Sequence, residues 1–68
     1  MDNEQDAYTD DDYIIEFVTL GSAMKVTAID PETMREVSMI GDPKLPRREL
    51  AKAAVEKLLY VLEKEKHV

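Results

Sequence analysis

The residues of this chain that could do chemistry are few, and their spacing argues against catalysis. Asp10, Asp11 and Asp12 are the nearest thing to a pair of acid–base carboxylates. They stand on a segment expected to be unstructured, where catalytic geometry is not held. The single histidine, His67, lies at the C-terminal end, a fraying position. Ser22, Ser38, Thr19, Thr27 and Thr33 therefore have no histidine at a plausible partner position. Cysteine is absent, and one histidine cannot build a zinc site. The Asp run lacks the EF-hand spacing, so only weak divalent-cation binding is expected of it. Gly21 and Gly41 are the only glycines, too few for a glycine-rich phosphate loop. The expectation is a protein that is not an enzyme and that uses no cofactor or metal.

The charged residues offer a different chemistry. Lys44, Arg47, Arg48 and Lys52 cluster where a helix is expected to begin. Positive charge there opposes the helix dipole, and Leu45 brings no capping oxygen. Two local rules broken in one place mark a candidate contact for an anion. The ligand would be a nucleic acid, a phosphate or a carboxylate-rich partner, the chain's own acidic segment included. The plainer account is that Arg47 and Arg48 pair with Glu49 or Asp42 at the surface, where such pairs contribute little.

The elements that must position these groups follow from the apolar pattern. Tyr13–Leu20 is β-branched and aromatic and ends at Gly21-Ser22. Glycine followed by a small polar residue signals a two-residue type II′ hairpin turn. Leu20 then faces Ala23, Phe17 faces Val26 and Ile15 faces Ala28. A second turn follows at Asp30-Pro31-Glu32-Thr33-Met34, where Asp and Pro hold the positions a type I turn favours. A four-residue loop sets Asp30 opposite Arg35, Ala28 opposite Val37 and Val26 opposite Met39. Its last position ordinarily turns left-handed and holds glycine, so Met34 predicts mild strain or a different loop. The strands are thus Tyr13–Leu20, Ala23–Asp30 and Arg35–Ile40.

After Gly41-Asp42-Pro43-Lys44-Leu45, Pro46 suits the first turn of a helix. Leu50, Ala51, Ala54, Val55, Leu58, Val61 and Leu62 recur with helical period and form one apolar stripe. Side chains alternate along strands, so one sheet face collects Tyr13, Ile15, Phe17, Met24, Val26, Ala28, Val37 and Met39. The helix covers that face. The expected fold is α+β: a three-stranded antiparallel meander packed on one C-terminal helix, βββα. The other face carries Ile14, Val18, Ile29 and Ile40 among polar residues. It reads either as a half-polar solvent face or as a partner surface, for a homodimer or another protein, packed on the face or along an edge strand.

Composition sets the bounds. Sixty-eight residues make one small domain with a marginal core. Without disulfides or a metal, a partner subunit is the remaining reinforcement. Of the 15 acidic residues, six (Asp2, Glu4, Asp6, Asp10, Asp11, Asp12) precede the first strand, so nine acidic and nine basic residues remain and the net charge of −6 sits in that segment. We expect residues 1–12 to be an acidic disordered tail and 13–66 a single domain. The acidic start does not read as a signal peptide, and no apolar run approaches a membrane span. The expectation is a cytoplasmic protein that does not engage membranes.

Two resemblances arise from these motifs. The helix start PRRELAKAAVEKLL, after three antiparallel strands, resembles the C-terminal half of a double-stranded-RNA-binding domain. That resemblance implies phosphate contacts from the basic residues at the helix start. Residues 1–12 offer no counterpart of that family's first helix, and Ala51 stands where a third lysine would be expected. Over residues 13–62, KVTAIDPET, EVSMIGDP and RRELAKAAVEKLLYVL resemble a family of small, uncharacterised alphaproteobacterial proteins, a domain of unknown function. Its members typically have glycine at the place of Met34. That resemblance supports the fold and implies no activity or site residues.

Overall fold

The computed structural model describes residues 5–10 and 12–66, with side chains over 12–65. The meander is built from β2 (Tyr13–Leu20), β3 (Ala23–Ile29) and β4 (Glu36–Gly41), and α1 (Arg47–Lys66) follows. A further strand, β1 (Gln5–Asp10), pairs antiparallel with β2, giving the sheet order β1-β2-β3-β4. The fold is the α+β arrangement read from the pattern, three antiparallel strands followed by one helix, with an added N-terminal edge strand.

The register of the meander is the one that the two turns dictate. Leu20 faces Ala23, Phe17 faces Val26, Ala28 faces Val37 and Val26 faces Met39. Gly21 has φ of +60°, while Ser22 has no positive φ, the combination of a type II′ turn. At the second turn Met34 has φ of +64°, the left-handed position that ordinarily holds glycine. The loop is held by Met34 N–H donating to the Asp30 carbonyl at 2.7 Å and Asp30 N–H donating to the Arg35 carbonyl at 2.9 Å. Asp30 also accepts from Glu32 N–H at 2.9 Å and from the Thr33 hydroxyl at 3.2 Å. These contacts over-determine the loop and hold Met34 in a conformation it would not choose alone. The strands end and begin one residue from the expected bounds, at Ile29 and Glu36.

In place of the disordered tail expected over 1–12, residues 5–10 run beside β2, from Gln5 opposite Val18 to Asp10 opposite Tyr13. The physical reason lies in β2. The two-residue turn makes Leu20 and Ala23 a bonded pair, so alternate residues of β2 direct N–H and C=O away from β3. Those outward groups form an open template for a further strand, and β1 pairs with it despite its low apolar content. Residues 1–4 and 11 of the expected tail, and His67, lie outside the described residues.

The core forms between α1 and one sheet face. Ile15, Phe17, Met24, Val26 and Ala28 meet Leu50, Ala51, Ala54, Val55 and Leu58, all buried, with Tyr13, Val37, Met39 and Leu62 at the margin. Burial of each large aliphatic or aromatic side chain contributes about 2 kcal/mol. Gly41 lets the end of β4 approach the helix, since a Cβ there would stand 2.5 Å from Leu50 Cδ2. The helix start is set by Pro46, whose carbonyl accepts from Glu49 N–H at 3.0 Å and Leu50 N–H at 3.2 Å. Pro46, rather than Leu45, is thus the cap position, and it too brings no capping side chain. Glu49 in the first turn offsets part of the dipole's positive end.

Candidate functional site

The open face of the sheet can be laid out row by row from the register. Val18, Lys25 and Ile40 form one row across β2, β3 and β4. Glu16, Thr27 and Ser38 form the next, and Ile14, Ile29 and Glu36 the third. Rows on one face are about 7 Å apart. Ile14 and Ile29 are therefore direct cross-strand neighbours, whereas Val18 and Ile40 flank the Lys25 stem. Ile14 is 37% exposed, Ile40 62% and Leu20, beyond the Val18 row, 48%; Val18 and Ile29 are half-buried.

A polar band separates the two apolar groups. Its centre, Thr27, is buried, and its hydroxyl lies 2.9 Å from that of Ser38. Thr27 and Ser38 belong to a pair that does not exchange backbone bonds, where side chains approach most closely. This bond fixes the middle of the face. Short side chains and a satisfied hydroxyl leave the isoleucines on either side standing proud.

The basic cluster is divided by the fold. Arg47 lies on the core side of the helix, with its guanidinium 4.9 Å from the centroid of the Phe17 ring. It is exposed, like its neighbours, while it touches a buried ring, a contact that only the fold reveals. Arg48 and Lys52 are exposed, and their i,i+4 spacing sets them side by side. Lys44 is exposed in the turn before the helix, where its N–H donates to Asp42 Oδ1 at 2.9 Å. Asp10 pairs with Tyr13, at the end of β2 away from the Gly41–Met24 pair and the helix start.

Two features escaped the sequence reading. Lys57 reaches from the helix to β4, its ammonium donating to the Ser38 carbonyl at 2.7 Å. At the far end of the helix an open groove of about 810 Å³ runs over Tyr13, Leu59 and Leu62, rimmed by Asp30, Glu32 and Glu63. Arg35 and Glu65 form an ion pair beside it. The placement of Leu59 just outside the helix stripe was the available signal for the groove. Among the described residues no group of His, Cys, Asp or Glu is arranged to hold a metal ion. No helix among them is long and apolar enough to cross a membrane.

A family model described as a domain of unknown function (DUF6898) matches residues 10–65. The chain belongs to that family. The match covers the whole meander and nearly all of α1, so the open face and the basic corner both lie within the family's domain. No curated protein and no solved structure matches the chain.

Proposed function

We propose that this member of the family is a non-enzymatic interaction module of the cytoplasm that binds protein through its open sheet face, a second copy of the chain being the first candidate. The observation that carries the reading is the exposure of Ile14, Leu20 and Ile40 beside Val18 and Ile29 on a face that α1 does not cover. Two apolar groups on one uncovered face of so small a domain favour association. The satisfied Thr27–Ser38 pair supports it, because desolvating this band leaves no hydroxyl without a partner. Replacing Ile14 and Ile29 by Asp is the test. Association through the face is then lost with the helical and sheet signals retained; association that persists in the double variant contradicts the reading.

A second reading, nucleic-acid binding, draws on Lys44, Arg47, Arg48 and Lys52, all exposed around the helix start. The likeness of the helix start to a double-stranded-RNA-binding domain points the same way. Salt separates the two readings. Phosphate contacts weaken steeply with rising salt, whereas apolar association changes little or strengthens in sulfate. The net charge of −6 disfavours a polyanion and places this reading second.

A further inference from the structure

We propose that the outer edge of β4 is a pairing site for β4 of a second copy of this chain, and that Lys57 is the latch that holds it closed. The sheet order leaves β4 at one edge. The bond from Asp30 N–H to the Arg35 carbonyl makes that pair a bonded one. Bonded and unbonded pairs alternate along an antiparallel ladder, so Ala28–Val37 and Val26–Met39 exchange bonds inward. The N–H and C=O groups of Glu36, Ser38 and Ile40 consequently point away from β3. The bond from Lys57 to the Ser38 carbonyl has the geometry this requires, since that oxygen is reached from outside the sheet.

The edge is self-complementary. Setting a second β4 antiparallel to the first, with Ser38 opposite Ser38, brings Glu36 opposite Ile40 in both directions. Ile40, 62% exposed, is then covered on its outer side. Lys25 is the register partner of Ile40 on the inner side. The second copy's Glu36 then shares a row with Lys25, about 10 Å away with Ile40 between them, a span that the two long side chains can bridge over Ile40, and the two-fold axis repeats the arrangement. This charge complementarity selects a second copy of the chain over an arbitrary strand. Pairing of this kind also joins two open faces into one continuous surface.

What opposes pairing is Lys57. Its ammonium occupies the central acceptor, and a charged lysine at a strand edge is a recognised barrier to strand addition. It must leave Ser38 in both copies before the strands can meet. This device is separate from the face reading, because Ile14 and Ile29 lie on the far side of β3 from the β4 edge or on β3 itself.

Sedimentation equilibrium on the full chain tests the latch. Lys57→Met keeps the apolar stem and removes the donor, and should raise the association constant about tenfold or more. Adding Glu36→Pro to Lys57→Met should return it to the wild-type value, since proline removes an outward N–H yet is tolerated on an edge strand. The gain should survive Ile14→Asp with Ile29→Asp, which separates it from face packing. In hydrogen exchange, the Ser38 amide of Lys57→Met should become more protected as concentration rises. An unchanged association constant in Lys57→Met, a gain that persists with Glu36→Pro, or Ser38 exchange independent of concentration overturns the proposal.

Discussion

The guanidinium of Arg47 stacks over the ring of Phe17, 4.9 Å from its centroid, and this pairing gives the helix start its unusual charge. A cation at the positive end of a helix dipole is unfavourable by a few tenths of a kcal/mol. Contact with an aromatic face returns about 0.5–1 kcal/mol at a surface site and more where water is excluded. Arg47 is thus engaged by a core ring while it stays exposed, so the anion-binding reading over Lys44, Arg47, Arg48 and Lys52 is tested most cleanly at Arg48 and Lys52. Arg47→Ala should lower stability by about 1 kcal/mol, read as a lower urea midpoint with unchanged slope. Arg48→Ala should shift it by less than about 0.5 kcal/mol.

That division also decides how nucleic-acid binding is to be tested. Arg48→Glu with Lys52→Glu alters the exposed pair and leaves the Phe17 contact intact. If the second reading holds, this variant loses affinity for a duplex RNA probe, with a shallower dependence on salt. Equal retention of wild type and variant, measured by filter binding across a salt series, removes the reading.

Met34 carries strain that can be relieved. A left-handed conformation costs a non-glycine residue about 1–2 kcal/mol, and glycine returns part of the gain through its looser unfolded state. Met34→Gly should therefore stabilise the domain by about 0.5–1 kcal/mol, because Met34 is 73% exposed and its side chain contributes little packing. Calorimetry reads this as a rise of several degrees in melting temperature.

Gly41 predicts the opposite sign. A methyl group placed there meets Leu50 Cδ2 at 2.5 Å, and Leu50 is itself held at 2% exposure in the core. Gly41→Ala forces the helix start outward or Leu50 off its rotamer, at a cost of about 1–3 kcal/mol. Leu50→Ala on the Gly41→Ala background should remove most of that clash, so the two losses are less than additive in a thermal-melt cycle.

The Thr27–Ser38 pair should also behave as a unit. Ser38→Ala leaves the buried Thr27 hydroxyl without its partner and should cost about 1 kcal/mol. Thr27→Val combined with Ser38→Ala should recover most of the loss. A denaturation cycle with no coupling between the two positions contradicts this account of the polar band.

Most of the meander was legible because its signals are local. Gly21-Ser22 and Asp30-Pro31 each set a loop, each loop sets a register, and each register places the same apolar residues on one face. Even the strain at Met34 could be read, since it follows from loop length alone. β1 was not legible: Gln5–Asp10 has little apolar pattern, and its pairing answers unpaired backbone groups on β2. The roles of Arg47 and Lys57 were hidden for a related reason. Both depend on side chains reaching another element, Phe17 on β2 and the Ser38 carbonyl on β4, and spacing along the helix carries no trace of that. Of the candidate surface, the four named residues Ile14, Val18, Ile29 and Ile40 share the open face, in two groups parted by the Thr27 band.

Whether the open sheet face binds a second copy is read by sedimentation velocity on the full chain from micromolar to millimolar concentration, in low salt and in sulfate. Association through the open face gives a sedimentation coefficient that rises with concentration, rises further in sulfate, and stays at the monomer value in Ile14→Asp with Ile29→Asp. A wild-type chain that remains monomeric throughout, or a double variant that associates equally well, contradicts it.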